Sequence, residues 1–99
     1  MHVMLAWELR GSRLKATQIT EQIREVMNTF SWTRPFGNVY ILKLSSETDR
    51  VALIERLSNV INENNYIVDL VVSPLMSGGQ YNGLLPPELW KPINERAHS

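Results

Sequence analysis

The chain has 99 residues, of which 43% are hydrophobic and 20% charged, and these proportions are typical of one folded domain rather than of a disordered or low-complexity chain. Ten basic and ten acidic residues cancel, which excludes the strong overall positive field that draws many proteins to nucleic acid or anionic membranes. The absence of cysteine excludes disulfides and thiolate metal sites. Because we find no long apolar run and no secretory leader pattern, we expect a cytoplasmic protein without a membrane partner.

The first predicted element is a strand over residues 2–10, because apolar side chains alternate there with a more mixed set. The alternating apolar residues are Val3, Leu5, Trp7 and Leu9. Glu8 belongs to the opposite face of this strand, and a carboxylate is rarely buried in a strand without a partner. The second face is therefore expected to be solvated, paired or functional, with its chemistry gathered around Glu8.

An amphipathic helix is expected over residues 15–30, where apolar residues recur at every third or fourth position. The segment that follows is typical of a strand, a turn and a second strand. We expect the first strand over residues 31–34, the turn over 35–38 and the second strand over 39–44. Pro35 suits the edge of a sheet, since proline cannot donate a hydrogen bond to a neighbouring strand.

Ser46 is expected to cap a second helix, because Asp49 follows three residues later in the pattern of a capping box. The polar, turn-prone run 62–65 ends this helix. A last strand is then expected over residues 66–72, and Pro74 stops it.

The rest of the chain, residues 75–99, is predicted to be an extension of a domain that covers residues 1–74. A glycine-rich loop comes first and a short helical turn started by proline follows it. Apolar residues between positions 84 and 93 are expected to dock this segment on the same domain or on a dimer partner. Trp90 is the expected anchor.

The order of these elements, β-α-β-β-α-β, predicts an α+β fold of the ferredoxin-like type, with both helices on one face of a four-stranded antiparallel sheet and a C-terminal extension. Alternation assigns eleven residues to the helix-covered face: Val3, Leu5, Trp7, Leu9, Tyr40, Leu42, Leu44, Tyr66, Val68, Leu70 and Val72. The other face is expected to be open.

The open face is predicted to be a dimer interface, because it combines apolar residues with a compact set of charges. Its charges are Glu8, Lys43 and Asp69. The residues predicted for the interface are Met4, Val39, Ile41, Ile67, Val71 and Trp90. We therefore expect a homodimer.

The segment Trp7-Glu8-Leu9, an aromatic, an acidic and an aliphatic residue at the end of the first strand, resembles the Tyr-Asp-aliphatic sequence of CRISPR-associated protein 2 and its relatives. Virulence-associated protein D and the SinR-like proteins belong to the same structural group. The resemblance extends by pattern over residues 2–72. It implies a ferredoxin-like dimer, either a metal-dependent nuclease or a non-catalytic DNA-binding adaptor, with Glu8 near the dimer axis. This chain has Glu where those families have Asp.

Glu8 has three alternative roles. Two Glu8 carboxylates across a dimer axis could hold Mg²⁺ and polarise a phosphodiester, since hard oxygen ligands suit that ion. Alternatively, Glu8 forms an ion pair with Lys43 of the adjacent strand or with Arg10 of the other subunit. Asp69 is predicted on the same face in a neighbouring strand, so Glu8 and Asp69 could also form a carboxylate pair for acid–base chemistry.

Other candidates for ligand binding are Arg10, Trp32, Arg34 and Lys43. Trp32 and Arg34 place an aromatic ring beside a cation, which could stack a nucleobase of single-stranded nucleic acid. The alternative is that Trp32 packs in the core and hairpin. His2 and His98 lie at the two ends of the sequence, where we expect disorder rather than catalysis.

The sequence supports two main functions. The first is a homodimer associated with RNA or DNA, as a metal-dependent endonuclease with Mg²⁺ or as an inactive relative in a defence or toxin system. The second is a non-catalytic module that binds a protein partner through the open face and the C-terminal tail, and the neutral net charge favours it. A regulator that binds a small molecule is a third class.

Overall fold

The computed structural model of the chain describes residues 1–11, 14–78 and 81–97. Its four strands are β1 (His2–Leu9), β2 (Ser31–Phe36), β3 (Val39–Lys43) and β4 (Val68–Val72). Its three helices are α1 (Ala16–Met27), α2 (Glu47–Glu63) and α3 (Pro87–Ala97). No helix in these ranges is long and apolar enough to cross a membrane.

The strands form one antiparallel sheet in the order β2-β3-β1-β4. The two central strands are therefore β1 and β3, and β1 is hydrogen-bonded on both of its sides. In the register of β1 and β3, Leu5 lies opposite Tyr40 and Met4 lies opposite Ile41. The protein is an α+β domain, and its sheet is compatible with the ferredoxin-like fold.

The main core lies on the face of the sheet that alternation assigned to the helices. All eleven residues predicted for this face belong to the core cluster or pack against it, so the prediction is confirmed. The helices contribute the buried side chains Ile19, Ile23, Val26 and Met27 from α1, and Leu53 and Leu57 from α2. The alternating apolar residues of the strands thus pack against the apolar faces of the helices in one layer.

The β2–β3 hairpin is tighter than the sequence predicts. We expected a turn over residues 35–38, but β2 continues to Phe36 and a bulge between Thr33 and Phe36 absorbs the irregularity. Proline is tolerated in β2 because this strand is an edge, where the missing N–H of Pro35 breaks no ladder. Gly37 takes a φ of 50°, which a side chain would disfavour, and it closes the turn together with Asn38.

The predicted start of α2 is confirmed. The hydroxyl of Ser46 accepts a hydrogen bond from the backbone N–H of Asp49 at 3.3 Å, and the Asp49 carboxylate accepts one from the N–H of Ser45 at 2.9 Å. These two bonds satisfy N–H groups that a helix start leaves without an intrahelical partner. Two acids in the first turn, Glu47 and Asp49, also suit the positive end of the helix dipole.

The last strand, β4, begins at Val68, two residues later than the predicted start at residue 66. The way in which α2 ends explains the difference. Asn65 takes a left-handed φ of 55°, and the N–H of Tyr66 then donates to the carbonyl of Ile61 at 3.0 Å. Because this N–H satisfies the helix terminus, it is not used in the sheet ladder.

The C-terminal helix is longer than the single turn that the sequence predicts. Pro87 begins α3, as expected for proline at a helix start, but the helix continues over eleven residues with Pro92 inside it. Ile93 and Ala97 are one turn apart and are 3% and 1% exposed. Burial of this pair explains why the helix persists past an internal proline.

The helix α3 packs on β2 and β3, on the face of the sheet turned away from the main core. Ile41 points to that face and is only 1% exposed, although it lies outside the main core cluster. The expectation that this face is open is therefore wrong for its β2–β3 half, where the chain's own C-terminal segment covers it. Within the loop that leads to α3, residues 79–80 lie outside the described ranges.

Replacing Leu53 by Ala is expected to lower the free energy of unfolding by about 2–5 kcal/mol, because Leu53 is 0% exposed in the core and its truncation leaves a cavity. The matched control is Val51→Ala on the same helix, at a side chain that is 45% exposed. We expect the control to change the free energy by less than about 0.5 kcal/mol. Urea denaturation followed by circular dichroism measures both, and equal losses would contradict the assigned core.

Candidate functional site

The sheet face opposite the main core divides into two parts. We call the part beneath the C-terminal segment the covered half, and it includes His2, Met4, Val39 and Ile41. We call the part along β4 and the end of β1 the uncovered strip, and it comprises Ala6, Glu8, Arg10, Ile67, Asp69 and Val71. Of the six residues predicted for a dimer interface, three lie in the covered half, two lie in the uncovered strip, and Trp90 lies in α3 of the C-terminal segment.

The uncovered strip exposes large aliphatic side chains to solvent. Ile67 is 59% exposed and Val71 is 69% exposed. Met4, Val39 and Trp90 are partly buried. The chain's own fold thus buries Ile41 and leaves Ile67 and Val71 as the most exposed of the interface candidates.

The predicted neighbourhood of Glu8 and Asp69 is confirmed, because the two residues lie directly opposite each other in the register of β1 and β4. Both side chains are exposed. Asp69 also forms an ion pair with the adjacent Arg10, whose Nη2 lies 2.7 Å from its Oδ1. With 67% and 57% of the two side chains exposed, this pair is screened by water and contributes little to stability.

The prediction that Glu8 lies beside Lys43 is wrong. Lys43 lies opposite His2, and Val39 lies opposite Ala6, so β3 has already ended where β1 reaches Glu8. Lys43 is level with His2, and Glu8 lies six residues further along β1. In an extended strand, six residues span about 20 Å. The antiparallel pairing of β1 and β3 places the end of β3 beside the start of β1, and this register excludes the intrachain ion pair.

The carboxylates of Glu8 and Asp69 are not equally available to a metal ion. Across the described ranges, no group of three or more His, Asp or Glu side chains is placed to hold one. Arg10 pairs with Oδ1 of Asp69 and competes with a cation for that carboxylate. A Mg²⁺ ion, which keeps several waters and uses one or two carboxylates, would therefore meet one carboxylate in Glu8 and one already paired in Asp69.

The structure does not bring the other predicted binding residues together. Trp32 faces the main core, where it contacts Tyr40 edge-to-face at 5.4 Å and donates its indole N–H to Asn28 at 3.0 Å. Arg24, and not Arg34, lies over its ring, at 6.0 Å. The packing interpretation of Trp32 is thus the one that its contacts favour. Arg34 and Lys43 are exposed, at a distance from the uncovered strip.

Sequence reasoning missed the role of His2. This residue lies in β1 and is 1% exposed, so the expectation of disorder is wrong, whereas His98 lies outside the described ranges. Its Nε2 shares a hydrogen bond with the hydroxyl of Tyr81, and its backbone pairs with Met76 through two bonds of 2.9 Å. These contacts hold the C-terminal segment against the start of β1. The alternation of β1 includes His2, and this pattern was the signal that His2 is ordered. Its position near the start of the sequence suggested disorder instead.

Comparison with protein-family models and with curated protein sequences found no relative of this chain. No protein-family model matches the chain, and no curated protein sequence matches it. We therefore infer the function from the covered half and the uncovered strip alone.

Tyr81 makes the free energy of unfolding depend on pH in the alkaline range. Burial raises the pKa of its hydroxyl above the ordinary value of 10.0, because desolvation disfavours the phenolate. The folded chain then holds this proton more tightly than the unfolded chain, so its contribution to stability is full below about pH 10 and is lost at higher pH. We expect the free energy of unfolding to fall as the pH rises above about 10, and to fall less in Tyr81→Phe. Urea denaturation at each pH checks this, and equal slopes in the two proteins would refute it.

Proposed function

We propose that this protein is a ferredoxin-like homodimer that serves as a non-catalytic interaction module, and that its two copies meet at the uncovered strip. The observation that carries the proposal is the exposure of Ile67 and Val71 beside charges of both signs. Exposed aliphatic side chains in a charged rim are typical of a partner surface. The sheet order and the alternation of strands with α1 and α2 support the ferredoxin-like assignment.

A second copy is favoured as the partner because the strip is complementary to itself. Each copy presents one cation, Arg10, and two carboxylates, Glu8 and Asp69. A two-fold axis through the strip brings the charged groups of one copy close to those of the other. Arg10 of each copy is then able to face Glu8 of its partner. Apolar contact between the aliphatic side chains supplies the attraction, and the charges set the register.

Val71→Asp is expected to dissociate the homodimer, because it places two extra carboxylates at a symmetric apolar contact. The matched control is Val51→Asp, since Val51 is 45% exposed on α2 and lies away from the strip. In sedimentation at micromolar concentration, we expect the wild type and the control to have twice the chain mass of 11.4 kDa. The Val71 variant is expected to have the mass of one chain. A monomeric wild type would refute the proposal.

One observation favours a second function, association with RNA or DNA and cleavage of a phosphodiester. Glu8 and Asp69 lie opposite each other on the uncovered strip, so a dimer built there would gather the carboxylates of both copies. Carboxylate oxygens are the ligands that Mg²⁺ prefers. Since Arg10 already pairs with Asp69 within one chain, this function draws on the carboxylates of the second copy and therefore depends on the dimer.

Incubation of the purified protein with RNA or DNA and Mg²⁺ or Mn²⁺ tests this second function. If it holds, Glu8→Gln abolishes cleavage because it removes a negative charge from the metal ligands, and Glu55→Gln, at an exposed acid of α2, retains cleavage. Sedimentation of the Glu8 variant shows whether the dimer survives. If the wild type neither cleaves nor binds nucleic acid in a salt-sensitive way, the interaction module alone remains.

A further inference from the structure

A cavity of about 420 Å³ lies between the covered half of the sheet and the C-terminal segment. Its floor includes Met4, Val39 and Ile41 from the two central strands. Its roof includes Tyr81, Trp90 and Ile93 from the C-terminal segment. The space therefore exists because α3 packs on β2 and β3 without filling the gap above the centre of the sheet.

Among the residues that the structure describes, the lining of this cavity is mostly apolar and includes no charged side chain. None of its twelve lining residues is Asp, Glu, Lys, Arg or His, and the polar side chains, Tyr81 and Asn82, are adjacent in sequence. A charged ligand would lose its hydration there without gaining a partner, which costs several kcal/mol. A neutral ligand with one polar group suits this distribution.

The volume of the cavity decides between occupants. A helix is about 10 Å across with its side chains, so this space is too small to take in a whole helix. By contrast, small-molecule sites are about 300–1,000 Å³, and a dry cavity of about 150 Å³ already accepts benzene. The space is therefore of the size that accommodates two or three fused or linked rings.

We propose that this cavity is a binding site for a neutral aromatic small molecule of two or three rings that carries a single hydrogen-bonding group. Trp90 and Tyr81 offer ring faces and edges to such a ligand, and the flexible thioether of Met4 adapts to its outline. The phenol of Tyr81 or the amide of Asn82 supplies the polar partner. The site adjoins the uncovered strip at Val39, which lies opposite Ala6, but none of its lining residues belongs to the strip, so the site does not depend on the proposed dimer.

Two dyes with the same ring system test the proposal. N-phenyl-1-naphthylamine is neutral and has one N–H, and 8-anilinonaphthalene-1-sulfonate is its sulfonated analogue. We expect the neutral dye to bind the full chain saturably, one per chain, with a blue shift and a rise in fluorescence. The anionic dye is expected to bind about tenfold more weakly or worse, because the lining offers its sulfonate no cation.

A matched pair of variants locates the bound dye. Val39→Trp fills the cavity from its floor and is expected to weaken binding of the neutral dye by about tenfold or more. Val51→Trp makes the same change on the outer face of α2, where the side chain is 45% exposed, and is expected to leave the affinity within about twofold. Circular dichroism of each variant shows that it is folded.

A measurement on the wild type makes the test independent of these variants. Nuclear Overhauser effects are expected between protons of the neutral dye and the methyl groups of Met4, Ile41 and Ile93. The proposal is overturned if the neutral dye does not bind saturably, if both dyes bind equally, or if the contacts come from methyl groups elsewhere.

Discussion

The structure depends on the way in which β1 is buried. This strand is hydrogen-bonded on both sides, and its face toward α1 and α2 is buried at Val3, Leu5 and Trp7. Its other face is buried only at the start, where His2 is 1% exposed, and it is open at Glu8. The cover on that second face therefore ends partway along a single strand, and this boundary creates both surfaces that we assign a role.

The C-terminal segment sets that boundary. The bonds from His2 to Met76 and Tyr81 hold it over the first half of β1, and α3 then crosses β2 and β3. A face that mixes apolar and charged residues is thereby divided into a partly open apolar cavity and an exposed strip. The division separates two kinds of recognition, because a concave apolar space suits a small molecule and an exposed mixed strip suits a macromolecule.

The chemistry of Glu8 follows from its place on the strip. It has a carboxylate neighbour in Asp69, and the nearest basic partner of Asp69 is Arg10 of the same chain. Because Arg10 pairs with Asp69, the strip of a single chain carries one more carboxylate than it has cations, and Glu8 is able to accept a cation from another molecule. In the proposed dimer, Arg10 of the second copy would be that cation, and this is the physical reason for placing self-association ahead of metal chemistry.

Much of the fold and part of the candidate site could be predicted from local sequence patterns. Alternation in the strands assigned the core face correctly down to Tyr66 and Val72, and Ser46 with Asp49 marked the start of α2. The carboxylate pair of Glu8 and Asp69 was also predictable, since both residues face the same side of neighbouring strands. The false neighbour Lys43 shows the limit, because alternation reports a face and does not report a position along the partner strand.

The sequence by itself determined which side chains share a face, since the periods of a strand and a helix are properties of the local backbone. Only the tertiary structure decided which part of the second face is covered, how His2 is held and where the cavity lies. These features depend on contacts between β1 and a segment more than seventy residues later, such as His2 with Met76 and Tyr81. No local pattern records a contact of that separation, because the residues that make it are far apart in sequence and meet only in the packed fold.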